Sequence, residues 1–198
     1  KSVALFMLEK YEEAINCIDE AEKLGNEFLQ ENSKEAQKNN DSVNFLKATC
    51  LNRLDKYEEA LECFEKCSND EIPATIICEK GITFGSLERN EEALECFEEA
   101  LEKGYDGTNA LKNKLIVLSQ LNRHEEIIEC CNKLLENDEN NFQALSTKCE
   151  ALRFSEKYEE ALVFCEKALK ISENDTGLLM NKSMILIELE KGDDAIAC

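Results

Sequence analysis

The sequence predicts an all-α solenoid of antiparallel helix pairs, and three observations predict it. A short fragment recurs at a period of 34 residues, apolar residues follow helical spacing on both sides of it, and the composition suits helices. The fragment reads KYEEAINC at 10–17, KYEEALEC at 56–63, RNEEALEC at 89–96, RHEEIIEC at 123–130, KYEEALVF at 157–164 and KGDDAIAC at 191–198. Its second residue forms an anchor column of Tyr11, Tyr57, Asn90, His124, Tyr158 and Gly192, at spacings of 46, 33, 34, 34 and 34. Five near-equal intervals, one with an insertion of about twelve residues, signal stacked repeats. The chain of 198 residues has one Pro, seven Gly and no Trp, with 33% charged residues, as helices with solvated outer faces require.

Taken in order, a partial unit at 1–28 comes first, followed by an insertion at 29–40. Complete units follow at 41–73, 74–107, 108–141 and 142–175, with a partial unit at 176–198. All are read as one repeat domain, because a single helix pair cannot bury both of its faces and a stack can. The first helix of each unit is predicted over 41–55, 74–88, 108–122, 142–156 and 176–190, with apolar spacing such as Leu111, Leu115, Leu118 and Leu121. The second helix begins near the anchor. Small residues stand three positions past it (Ala14, Ala60, Ala93, Ala161) and larger ones seven past it (Ile18, Phe64, Phe97). Small beside large lets helices approach closely. The insertion, LQENSKEAQKNN, lacks Pro and either extends the preceding second helix by about three turns or forms a short helix after a stop at Gly25.

Three further columns look like chemistry and are read as architecture. An acid pair opens every second helix (Glu12-Glu13, Glu58-Glu59, Glu91-Glu92, Glu125-Glu126, Glu159-Glu160, Asp193-Asp194), where exposed N–H groups and the helix dipole favour negative charge. A lysine stands ten residues before every anchor: Lys1, Lys47, Lys80, Lys114, Lys148 and Lys182. Its stem is expected to cover the seam between helices while its ammonium meets a nearby carboxylate. Cysteine stands six past the anchor at Cys17, Cys63, Cys96, Cys130 and Cys198, with Phe164 breaking the series. Cysteine that follows the repeat acts as a small packing residue. No CxxC pairs at finger-like spacing appear, so no metal is expected, and no cofactor motif is present. Eleven cysteines in a chain large enough not to need staples imply reduced thiols and a cytoplasmic location. His124 occupies the aromatic anchor column and is read as a Tyr substitute.

The formal net charge of −20 argues against nucleic acid and against an anionic membrane, since both demand basic surface. No apolar run approaches the ~20 residues of a membrane span. No nucleophile–base pair or phosphate loop is found, so no enzyme activity is expected.

These columns resemble the tetratricopeptide repeat. The resemblance rests on a small residue in the first helix (Ala48, Gly81, Ser183), an aromatic anchor (Tyr11, Tyr57, Tyr158), and Ala with Phe at fixed offsets (Ala60 with Phe64, Ala93 with Phe97). The family's early Trp is replaced by Asn44, Ile77, Leu111, Leu145 and Leu179, and its closing Pro is mostly absent. The resemblance implies a right-handed superhelix whose first helices line a concave groove that binds a peptide or partner protein. It selects Phe45, Thr49, Asn52 and Arg53 in one unit and Cys78 and Ile82 in the next. Lys112, Asn113, Ile116 and Gln120 follow, then Glu150, Arg153 and Phe154, and finally Met180, Asn181 and Met184. Counting Glu79 and Glu188, the charges of this face cancel, so a partly apolar ligand is expected. The family's carboxylate clamp for chaperone tails is incomplete: Lys112 and Asn113 are present, but Ile116 stands where an amide belongs, and Gln143 and Thr147 stand where the next units should contribute its Lys, Asn and Arg. The expected function is a protein-interaction scaffold. The alternative is a regulatory or targeting module of a longer enzyme or sensor, since both ends cut through a repeat. An exposed end face would also permit an end-to-end homodimer.

Overall fold

The computed structural model describes residues 1–28, 34–67, 73–105 and 107–196, with backbone alone for 24–28 and 34–39. Among the described residues, twelve helices alternate as first and second members of consecutive pairs. The first members are α1 (Ser2–Met7), α3 (Lys34–Arg53), α5 (Ala74–Ser86), α7 (Gly107–Gln120), α9 (Phe142–Phe154) and α11 (Thr176–Glu188). The second members are α2 (Tyr11–Phe28), α4 (Tyr57–Glu65), α6 (Asn90–Glu102), α8 (His124–Asn137), α10 (Tyr158–Ile171) and α12 (Gly192–Ile196). Every second helix starts on its anchor residue. The chain groups into two compact units, Lys1–Ala110 and Leu111–Cys198.

Each described first helix from α3 to α11 ends two residues earlier than its apolar spacing predicts. The cause is one backbone position, two before the anchor, where Glu9, Asp55, Glu88, Asn122, Glu156 and Glu190 adopt φ of 54–59°. In the pair α5–α6, the Glu88 N–H donates to the Gly85 carbonyl and the Arg89 N–H to the Phe84 carbonyl. The same two bonds recur at Glu156 and Lys157 and at the other four sites. This is the Schellman closure, in which a left-handed residue satisfies the last carbonyls and turns the chain. It reverses direction with two residues to spare, which fixes the antiparallel pairing.

The insertion follows neither expected form. α2 runs through Gly25 to Phe28, and residues 34–40 belong to α3, lengthening a first helix instead of the preceding second one. Residues 29–33 of the insertion lie outside the described residues.

The small–large columns meet as expected. In the first unit Ala48, Leu51, Ala60, Phe64, Phe84, Ala93 and Phe97 are buried. In the second unit the core comprises Leu145, Cys149, Leu152, Ala161, Cys165, Ala168, Leu178 and Ile185. The replacements for the family's Trp are interior at Asn44, Ile77, Leu111 and Leu145. Leu179 is half-buried.

The acid pairs fall in the first turn of α2, α4, α6, α8, α10 and α12. The residue before the anchor, Lys or Arg, gives no side-chain cap to α4, α6, α8 or α10. Instead it reaches forward: Lys10 bonds Glu13 at 2.9 Å, Arg123 bonds Glu126 at 2.5 Å, and Arg89 pairs with Glu92. These pairs are solvent-exposed and contribute little individually. Two first helices carry caps that charge patterning did not reveal. Asn141 Oδ1 accepts from the Ala144 N–H at 3.0 Å, and Asp175 Oδ1 accepts from the Leu178 N–H at 2.9 Å.

Candidate functional site

The lysine column ties α3, α9 and α11 each to the second helix before it. Lys47 donates to Asp19 at 2.5 Å and lies 3.5 Å from Glu22, while Lys182 lies 3.3 Å from Glu166. Burial pulls the Lys47 pKa down, but the Asp19 hydrogen bond and the Glu22 charge outweigh it and hold the pKa above its ordinary value. Lys148 departs from the pattern. Its ammonium meets the Asn132 amide oxygen at 2.5 Å and sits 3.7 Å from the Phe164 ring centroid. Phe164, where the cysteine column breaks, thus supplies a cation–π seat. Burial lowers the Lys148 pKa, and the Glu160 charge offsets this only in part. These lysines are engaged in seams between helices.

The cysteine column is equally structural. Cys50, Cys63, Cys67, Cys78, Cys130, Cys131, Cys149 and Cys165 are buried free thiols, and Cys17 and Cys96 are half-buried. Cys198 lies outside the described residues. Burial pushes the thiols of Cys67 and Cys96 up to about 11 and that of Cys131 up to about 12. Since the thiolate is the reactive form, alkylation of the folded protein at neutral pH should modify Cys17 first among the described cysteines. Mass-spectrometric mapping checks this, and early labelling of Cys131 would contradict the packing role. Among the described residues, no group of three or more His, Cys, Asp or Glu is arranged to hold a metal. No described helix is long and apolar enough to cross a membrane.

The candidate groove residues fall into different environments. In the first unit Phe45 tilts against Phe64 of α4 with centroids 6.4 Å apart, so much of its ring packs between helices. Asn52 Nδ2 donates to Thr83 Oγ1 at 2.8 Å, linking α3 to α5, and Thr49 Oγ1 donates to the Phe45 carbonyl at 2.8 Å. Arg53 is exposed and Ile82 is half-buried. Cys78 is only 1% exposed. It is a core residue of α5 and is withdrawn as a groove contact, because the turn that should present it outward faces the interior. Glu79 is raised in pKa by burial and drawn back by the Arg53 charge.

The second unit exposes more apolar surface. Ile116 on α7 is 56% exposed, Phe154 on α9 is 52%, and Met180 and Met184 on α11 are 66% and 48%. Ile187, one turn beyond Met184, is also exposed and was absent from the sequence-derived set. Its spacing of seven from Met180 is the signal that could have found it. Lys112, Asn113, Arg153 and Asn181 are half-buried, and Gln120 and Glu150 are exposed. Phe154 stacks on His124 with centroids 5.1 Å apart and planes 10° apart, and the Arg153 guanidinium lies 4.2 Å from the Phe154 centroid. His124 therefore fills an aromatic position. Arg153 Nε is buried and has no hydrogen-bond partner among the described residues.

Residues 41–69, 74–102 and 148–175 match the tetratricopeptide repeat family model. No curated protein sequence matches the chain. Among solved structures, YrrB, described as a TPR protein with an unusual peptide-binding site, is similar at a TM-score of 0.72 and 21% identity. The match covers 82% of this chain and 84% of that one. MamA from Desulfovibrio magneticus RS-1 is similar at a TM-score of 0.71 and 14% identity, over 80% of this chain and 90% of that one. MamA of AMB-1 gives a TM-score of 0.69 at 15% identity, over 80% and 94%. At these identities the likeness speaks for the fold. Three units of the chain, at 41–69, 74–102 and 148–175, match the tetratricopeptide repeat in sequence, and the helix pairs fold as they do in tetratricopeptide-repeat structures.

Proposed function

We propose that the chain is a protein-interaction scaffold that seats an apolar peptide segment of a partner on the first-helix face of its second unit. The observation that carries this reading is the exposure of Ile116, Phe154, Met180 and Met184 on α7, α9 and α11. Monomeric proteins seldom leave large apolar side chains clustered in water without a use for them, and Met adapts its shape to varied partners. The Arg153 guanidinium, 4.2 Å from the Phe154 ring centroid, sets a positive charge beside this face. That YrrB is described as having a peptide-binding site supports the reading by analogy of fold.

The test is a displayed library of random peptides panned against the full chain, followed by affinities of the enriched peptides. Replacing Ile116 or Met184 by Glu should weaken those peptides about tenfold or more, the effect of losing a buried interface anchor. Val163→Glu places the same charge on α10, at a side chain 50% exposed, and should leave binding unchanged. Equal losses from all three variants, or no loss from the first two, would remove the groove reading.

A further inference from the structure

The positions nine before and seven past the anchor form two columns along the repeats, and in one helix pair they are seen to meet. The pair α5–α6 shows it: a Cβ added at Gly81 would stand 2.8 Å from Phe97 Cε1. Elsewhere the same two columns hold Ala48 opposite Phe64 and Leu115 opposite Cys131. In α9–α10 alone they hold two cysteines, Cys149 and Cys165, both 0% exposed. The Cys149 thiol donates to Cys165 Sγ. The Cys165 thiol donates in turn to the Leu178 carbonyl of α11 at 3.3 Å. Two sulfurs in one hydrogen-bonded chain are placed to join.

We propose that Cys149 and Cys165 are a redox-convertible pair that closes a disulfide between α9 and α10 by exchange with a low-molecular-weight disulfide. The Cys165 thiolate attacks one sulfur of that disulfide, forming a mixed disulfide and releasing one thiol, which takes up the proton Cys165 gave up. Cys149 then loses its proton and attacks the Cys165 sulfur. This releases the second thiol, so two protein thiols are oxidised as one small disulfide is reduced to two thiols. The order follows from the hydrogen bond. Donation from Cys149 lowers the Cys165 pKa and raises that of Cys149, which makes Cys165 the attacking sulfur. Because both sulfurs are sealed beneath α11, the reagent reaches them only when α11 opens, and that opening sets the rate. The pair therefore differs from Cys17 and Cys96, which stand part-exposed and one position outside these columns.

The full chain is incubated with oxidised glutathione under native conditions and its disulfides are mapped by mass spectrometry after non-reducing digestion. The expected product is a Cys149–Cys165 cross-linked peptide pair, two hydrogens lighter than the thiol form. Leu178→Ala, which thins the cover, should speed its formation about tenfold or more by favouring the open state. Cys149→Ala should stop at glutathione retained on Cys165. Absence of the cross-link, in wild type after prolonged incubation as in Leu178→Ala, overturns the proposal. So does pairing of Cys165 with other cysteines as readily as with Cys149. Should Leu178→Ala fail to fold by circular dichroism, the wild-type map decides alone.

Discussion

Replacing Phe97 by Ala is expected to lower the unfolding free energy by about 3–5 kcal/mol, the range for deleting a buried aromatic ring. Phe97 is 1% exposed, and its ring lies where a Cβ at Gly81 would stand 2.8 Å from Cε1 and 3.1 Å from Cδ1. A ring packed against a helix backbone leaves a cavity that surrounding side chains cannot collapse into, which puts the cost high in the range. Because each repeat is stabilised by its neighbours, urea unfolding followed by circular dichroism should show both an earlier midpoint and a broader transition.

The partnership with Gly81 gives a sharper form of the test. In the wild-type background, Gly81→Ala forces the new methyl into Phe97 and to 3.0 Å from Cys96 Cβ. Overpacking of that kind costs about 1–3 kcal/mol, against a gain of about 1 kcal/mol in helix propensity. With Phe97 already reduced to Ala, the same methyl enters a cavity and the propensity gain stands unopposed. Gly81→Ala should therefore change sign between the two backgrounds. Destabilisation of similar size in both would show that the two columns are not partners.

The sequence carried the period, the helix pairs and most of the interior, because each is a repeated constraint that one residue type satisfies again and again. Ala14, Ala60, Ala93 and Ala161, all 0% exposed, are the clearest case. The helix ends were not legible. The left-handed position is filled by Glu, Asp and Asn with no Gly among them, so the usual compositional sign of a helix stop is missing. The insertion was misread for a related reason, since nothing in KEAQKNN distinguishes extension of the helix after it from extension of the helix before it. For the candidate site, register placed Ile116, Met180 and Met184 where exposure is found, yet it also selected Cys78. A face one turn wide on a helix packed on both sides contains interior positions, and only the neighbouring side chains decide which.

Replacing the left-handed carboxylates by Gly is expected to stabilise the protein at each position by about 0.5–1 kcal/mol, the difference between the cost of a side chain at positive φ and the entropy lost by Gly. Glu9, Glu88, Glu156 and Glu190 qualify fully, with φ of 57–59°. These sites lie in separate repeats with no shared partners, so the gains should add to about 2–4 kcal/mol for the fourfold variant. Asp55 should gain less, because its carboxylate accepts the Tyr57 hydroxyl at 2.6 Å and that bond is lost with the side chain. Asn122 should gain least, as Asn already tolerates this region. The competing account is charge, since each substitution also removes an anion from a chain of net charge −20 and relieves self-repulsion. Glu88→Gln separates the two: it removes the charge while keeping the Cβ that strains the backbone. Thermal unfolding should rank Glu88→Gly well above Glu88→Gln and Glu88→Val below the parent. If Gln matches Gly, the gain is electrostatic and the closure turns carry no strain to release.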